Sequence, residues 1–244
     1  GDADDKVVAL CADLTESVRM QGFKDKYPER FIEVGVAEQN LVTVAAGLAA
    51  VGKIPFTASY ATFSPGRNWE QIRTTICYND VPVKIIGSHA GISVGPDGGT
   101  HQAIEDIALM RIIPNMVVIS PCDSIEAKKA TLACVENGKP TYIRLAREAT
   151  PLITTEETPF EIGKANKLFS SSKVKNEVAI IATGALVFNA LKVAKKCEEE
   201  GIGVIVVNLS TIKPLDKKTI LEVAKETGAV VTVEEHQIAG GMGS

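Results

Sequence analysis

The stretch Val81-Pro-Val-Lys-Ile-Ile-Gly-Ser-His89-Ala-Gly-Ile-Ser-Val-Gly-Pro-Asp97-Gly-Gly-Thr-His101-Gln-Ala-Ile-Glu-Asp-Ile-Ala-Leu-Met-Arg111 decides the architecture. Residues 81–87 form an apolar run, the pattern of a strand buried on both faces. Residues 102–111 place apolar side chains at helical spacing. A loop that leads from strand to helix in an α/β protein opens on the carboxyl edge of the sheet, where ligands bind. Four glycines in this loop allow positive φ and close backbone approach. It also holds Asp97 and two of the chain's three histidines, groups that move protons near neutral pH. A lone histidine would suit an ordinary turn; three titratable groups on one such loop point to an active site.

The same alternation continues on both sides. Apolar runs at 7–11, 31–34, 55–59, 83–87, 116–120 and 141–145 alternate with helical patterns at 41–50, 69–77, 102–111 and 124–136. That order predicts a doubly wound, mainly parallel α/β sheet with helices on both faces, spanning residues 1–150. The helix at 124–136 is well punctuated: Asp123 reads as its N-cap, Glu126 stands three residues on, and Gly138 follows its end. Residues 151–176 lose periodicity around Ser170-Ser-Ser-Lys-Val-Lys-Asn and read as a linker.

A second, smaller α/β domain is predicted over 177–244, with strands at 178–182, 204–209 and 230–234 and helices at 185–199 and 216–226. Leu186, Ala190, Val193 and Cys197 share one face of its first helix, opposite Lys192, Lys195 and Lys196. That stripe reads as core. Three strands make a thin sheet, and the turn Gly240-Gly-Met-Gly after the last would normally lead into another helix. The second domain is therefore expected to be incomplete.

A chain of 244 residues can bury substantial cores. Its net charge of −4 argues against a nucleic-acid surface, although an anionic small molecule can still bind a local cluster of cations or backbone N–H groups. The five cysteines lack metal-type spacing and mostly sit among apolar residues, as buried thiols of a reducing compartment do. No signal peptide is recognised, and no apolar run reaches the about 20 residues of a membrane span. The expectation is a cytoplasmic protein with no membrane partner.

Polar residues gather at the ends of the predicted strands. Asp13 follows the first, Glu38 the second, Tyr60 and Phe63 the third, His89 the fourth and Arg147 the last. All fall on the carboxyl edge, where a doubly wound sheet forms its ligand crevice. Read singly, Glu38 would be a first-turn acid favourable to a helix dipole, Asp13 an Asx-turn residue, Phe63 a core aromatic and Arg147 a solvated side chain.

These residues also carry a resemblance. Cys11-Ala-Asp13-Leu-Thr-Glu-Ser17, Val34-Gly-Val-Ala-Glu38-Gln-Asn40, Tyr60-Ala-Thr-Phe63, the loop from His89 to His101, and Arg144-Leu-Ala-Arg147 resemble the pyrimidine-binding domain of transketolases in order and spacing. Thr211-Ile-Lys-Pro-Leu-Asp216 and Val233-Glu-Glu-His-Gln-Ile-Ala-Gly-Gly resemble the C-terminal domain of the same family. The likeness covers essentially the whole chain.

The resemblance implies transfer of a two-carbon glycolaldehyde unit from a ketose phosphate to an aldose phosphate, dependent on thiamine diphosphate. Glu38 would hydrogen-bond ring N1′ of the cofactor and promote its imino tautomer. Phe63 would stack on the aminopyrimidine with Tyr60 beside it, and Asp13 would lie near the thiazolium. Arg67 would be a further cofactor contact, carried over across a loop, Ser64-Pro-Gly, that holds one residue more than related loops. His89 and His101 match residues that bind ketose hydroxyls and assist proton transfer, and Asp97 matches one that reads hydroxyl stereochemistry. Ser17 and Arg147 match phosphate contacts, a role that suits a guanidinium. His236 is read as structural and away from this edge.

Transketolases hold the diphosphate and its divalent metal, Mg or Ca, on another domain through Gly-Asp-Gly and an Asn-containing segment. This chain has no Gly-Asp-Gly, and only twelve residues precede Asp13. The expectation is half an active site: a B-type subunit of a split enzyme or a fragment, completed by a partner in an α2β2 assembly. Deoxyxylulose-phosphate synthase and the β subunit of 2-oxoacid dehydrogenases are the rival thiamine enzymes. Ala12-Asp13-Leu-Thr with His89, Asp97 and His101 favours transketolase over both. A non-catalytic assembly subunit is the remaining alternative, and Glu38, His89 and His101 together argue against it.

Overall fold

The computed structural model describes residues 1–244. Six parallel strands form most of the first sheet: β1 (Val7–Cys11), β2 (Phe31–Glu33), β3 (Ile54–Tyr60), β4 (Lys84–Ser88), β5 (Val117–Ile119) and β6 (Thr141–Arg144). Helices α1 (Gln21–Lys26), α2 (Glu38–Ala50), α3 (Trp69–Gln71), α4 (Asp106–Arg111) and α5 (Ser124–Glu136) lie between them. The predicted doubly wound α/β fold is thus present. β1 lies between β2 and β3, so the chain turns to opposite sides of β1 in succession and leaves a crevice at that switch point.

Helix α5 starts where its cap was read: Asp123 Oδ1 accepts from the Glu126 N–H at 2.9 Å. The reciprocal half differs, because Glu126 Oε2 accepts from Cys122 N–H at 2.7 Å. Helix α4 begins four residues later than the periodicity suggested. Gly91 N–H donates to Ala103 O at 2.8 Å, and Ala90 and Ala103 form a β-bridge. Residues 102 and 103 therefore close the loop instead of opening the helix. The predicted helix at 69–77 is a short α turn that widens to π geometry over Ile72–Cys77.

The second sheet has four strands, in the order β11-β8-β9-β7. They are β7 (Asn166–Ser170), β8 (Asn176–Ala182), β9 (Gly203–Asn208) and β11 (Val230–Val233), covered by α6 (Val187–Glu199) and α7 (Lys217–Thr227). Two corrections follow for the predicted linker over 151–176 and for the three-stranded sheet. Residues 166–170 form the edge strand β7, which runs antiparallel to β9. The short strand β10 (Thr211–Lys213) leaves this half of the chain and pairs antiparallel with β5 of the first sheet.

The halves share one core. Ile107, Met110, Met116 and Val118 belong to the same buried cluster as Ile181, Ile205, Val207, Leu209 and Ile212. Removing this apolar surface from water is the main force holding the two sheets together. Four cysteines are buried and Cys197 is half-buried. Burial pushes the Cys77 thiol up to about 12, so it stays protonated and unreactive at neutral pH. No helix is long and apolar enough to cross a membrane.

Candidate active site

The site is built at the carboxyl ends of β1, β3, β4 and β6. Glu38 is the first residue of α2 and only 6% exposed. Its backbone oxygen accepts from Asn68 Nδ2 at 2.8 Å, and the same amide nitrogen reaches Ser64 Oγ at 3.1 Å. Asn68 is itself fully buried, so it ties the start of α2 to the loop after β3. That loop bends through a cis Ser64-Pro65 bond and delivers Arg67 to Glu38, with Nη1 3.2 Å from Oε1. Arg67 remains 53% exposed, so the pair is open to solvent and to a ligand.

From Arg67 a row of flat groups crosses the sheet edge. The guanidinium lies 4.3 Å over the Phe63 ring, within cation–π range. Phe63 and Tyr60 are parallel, with centroids 5.9 Å apart, and Tyr60 stacks on His89 at 3.9 Å. His101 stands edge-on to both aromatics, 5.3 Å from Phe63 and 6.2 Å from Tyr60. The two histidines of the loop are thereby brought onto one aromatic platform.

His89 is a non-glycine residue at φ +56°, a conformation uncommon for residues with a side chain and adopted here among glycines at +86°, +73° and +72°. Its Nδ1 lies 2.7 Å from Ser88 Oγ, which leaves Nε2 for another partner. Burial, followed by the nearby Arg147 cation, holds its pKa below the usual imidazole value; Asp97 acts in the opposite sense. The ring is therefore neutral at neutral pH and able to accept a proton. His101 Nδ1 lies 2.9 Å from Thr100 Oγ, so its Nε2 is likewise left over.

Two clefts flank the platform. One, of about 830 Å³, is lined by Ser17, Tyr60, His89, Asp97 and Arg147, with Arg19 beside them. The other, of about 480 Å³, is lined by Glu38 and Arg67 together with backbone at the start of α2. Phe63 and His101 connect the two through their ring contacts. Asp13 lines neither cleft. It sits in the loop after β1 at φ +60°, and its N–H donates to Glu33 Oε1 at 2.7 Å.

Three further residues were missed in the sequence. Glu33 also accepts from Gly35 N–H at 2.9 Å and from Thr15 Oγ at 3.1 Å, so one carboxylate fastens the loops after β1 and β2. An acid at the end of a strand, five residues before Glu38, was the only available signal. Arg19 adds a second guanidinium to the larger cleft. Glu235 accepts from loop amides at Ile92 and Ser93, although it had been quoted only within a C-terminal motif. His236, read as away from this edge, has Nε2 3.4 Å from Ala108 N on α4. No group of three or more His, Cys, Asp or Glu side chains is placed to hold a metal ion.

Comparison with known proteins identifies the family. Residues 1–152 match the transketolase pyrimidine-binding domain, and residues 163–244 match the transketolase C-terminal domain. A protein of Methanocaldococcus jannaschii described as a transketolase C-terminal section is 45% identical over 241 residues, covering 98% of this chain and 74% of that protein. The 6-deoxy-6-sulfo-D-fructose transketolase subunit SqwH of a Clostridium species is 42% identical, covering 99% and 74%. Among solved structures, an inactive β4 tetramer of a split-gene transketolase superposes with a TM-score of 0.90 at 44% identity, covering 99% of this chain and 78% of that one. A Pichia stipitis transketolase complexed with fructose 6-phosphate gives 0.82 at 25% identity, covering 96% of this chain and 37% of that one. With both domains matched in order and close relatives aligned along nearly its whole length, the chain belongs to the transketolase family and corresponds to its C-terminal half.

Proposed function

We propose that the chain is one subunit of a two-part transketolase, active only with a partner that holds the diphosphate and divalent metal of thiamine diphosphate. The observation that carries this reading is the platform joining Glu38 and Arg67 to Phe63, Tyr60 and the two loop histidines. The residues present suit the pyrimidine end of the cofactor. Glu38 is a buried carboxylate whose side chain meets only a half-exposed arginine, beside an aromatic face. When bound, thiamine diphosphate would supply the carbon nucleophile of the transfer.

Glu38 would hold a proton between its carboxylate and ring N1′. Phe63 would present its face to the pyrimidine, Tyr60 would flank it, and Arg67 would swing from that face to the rim. Asp13, positioned through Glu33, would place negative charge near the thiazolium. His89 Nε2 and His101 Nε2 would exchange protons with substrate hydroxyls, and Asp97 would read their stereochemistry. Ser17 and Arg147 would bind the sugar phosphate at the far end of the larger cleft, with charge-assisted hydrogen bonds to its oxygens.

The test is reconstitution. Mixed with a partner carrying Gly-Asp-Gly, thiamine diphosphate and Mg²⁺, the chain should move a two-carbon unit from xylulose 5-phosphate to an aldose phosphate. Decarboxylation of pyruvate with no action on any ketose phosphate would replace this reading with that of a 2-oxoacid dehydrogenase subunit. Tight, metal-dependent cofactor binding by this chain alone would contradict the divided site.

A further inference from the structure

We infer that Glu235, on the second domain, is a positioning residue that clamps the loop from His89 to His101. Its Oε1 accepts from both Ile92 N–H at 2.7 Å and Ser93 N–H at 2.9 Å, a contact across 143 residues of sequence. Gly91 lies against the same carboxylate: a Cβ there would stand 2.3 Å from Glu235 Cδ, so only glycine lets the loop close onto it.

The clamp is held from behind. Arg144 is 5% exposed and donates from Nη2 to the Glu235 backbone oxygen at 2.7 Å. Its Nε donates to Asp106 Oδ2 at 2.9 Å, and Tyr142 Oη donates to the same oxygen at 2.7 Å. Asp106 is the first residue of α4, the helix that receives the loop. Gln237 N–H donates to Ile104 O at 3.0 Å, which fixes the loop's exit, and Gln102 Nε2 reaches Ile92 O at 3.1 Å. The bonds form a closed circuit from loop to α4, through Asp106 and Arg144 to Glu235, and back to the loop. Beyond Ser93, residues 95–101 have mainly their own short-range turns and one 3.4 Å bond from Thr62 Oγ to Thr100 O. The placement of Asp97 and His101 against Tyr60 and Phe63 therefore depends on Glu235, while His89 is also held by its neighbour Ala90, whose N–H donates to Leu145 O at 3.1 Å.

The clamp is a property of this chain; its effect on turnover rests on the proposed function. The first test is hydrogen exchange on the full chain. Glu235→Ala should speed exchange in the peptide covering Ile92 and Ser93 by about tenfold or more, the factor expected from losing hydrogen bonds to a carboxylate. Exchange in β1 should not change. Glu235→Asp keeps the charge but withdraws it by one methylene, and should loosen the same peptide even if the alanine variant unfolds. Glu235→Gln keeps an accepting oxygen and should restore most of the protection. The imidazole C–H resonances of His89 and His101 should shift in the first two variants.

In the reconstituted enzyme Glu235→Ala should lower kcat/KM for the ketose about tenfold, with Glu235→Gln recovering most of it. Native exchange and unmoved imidazole resonances in a folded Glu235→Asp variant would overturn the clamp. A native complex that turns over no ketose phosphate, while the loop still responds to Glu235, would overturn the functional reading and leave the clamp standing.

Discussion

The two sheets place their strand ends very differently. Both are parallel around a switch strand, β1 in the first and β8 in the second. At the carboxyl end of the first sheet, polar groups keep atoms in reserve: the Nε2 atoms of His89 and His101, the Tyr60 hydroxyl and the Asp97 carboxylate all face open clefts or the platform between them. At the corresponding end of the second, a cleft of about 330 Å³ lies beside Ser120, Asp123 and Gly184, but the polar groups at the strand ends are bonded to the first half of the chain. Ser120 O accepts from Gly184 N–H at 3.2 Å and from Thr183 Oγ at 3.3 Å, and Asn208 Nδ2 donates to Glu126 Oε1 at 2.8 Å. Gly184 has room only for hydrogen, since a Cβ would lie 2.7 Å from Ser120 Oγ. Like topology does not give like edges: the first keeps polar groups unpaired, whereas the second bonds its own to the rest of the chain.

The strongest challenge to this contrast is Glu38→Ala. It should leave the unfolding midpoint nearly unchanged while reducing turnover of the reconstituted complex by about 10³-fold. A rate within a few-fold of native would remove the catalytic role of the first edge. Next comes the seam between the edges. Asp106→Ala strands Arg144 without its buried counter-charge and should cost about 3–5 kcal/mol in a urea titration. Tyr142 reinforces the effect, because burial and then Asp106 keep its phenol protonated and donating.

Asn208→Ala probes the second edge. Losing its bond to Glu126 should cost about 1–2 kcal/mol of stability with kcat preserved. A selective loss of kcat would mean that this edge is functional after all. The smallest effect is that of His89 on pH dependence. Because its folded pKa lies below the unfolded value of about 6.5, the unfolded chain binds more protons in that window. The contribution of His89 to stability is complete above about pH 6.5 and is lost as pH falls toward the depressed value. A His89→Gln variant should flatten that part of the profile in calorimetric scans.

What the sequence disclosed followed locality. The parallel strands announced themselves as apolar runs, and α5 by its cap. The residues of the platform stood at strand ends in the spacing of a known family. Strand β10 was invisible because three residues, Thr-Ile-Lys, become a strand only by meeting β5. Strand β7 hid in a polar stretch because an edge strand with half-exposed side chains needs no apolar run. Glu33 and Glu235 were silent for a similar reason: each acts through backbone N–H groups, and neither a donor amide nor a partner 143 residues away leaves a mark in local composition. Their roles belong to tertiary structure alone.

Strand β10 also bears on how the protein is made. Until residues 211–213 leave the ribosome, β5 has an unpaired edge, although every other strand of its sheet has already been synthesised. An open strand edge on a nascent chain is a site for association with other chains. The first half therefore has reason to remain under chaperone care until the second half emerges. Expressing residues 1–150 alone would make that temporary edge permanent.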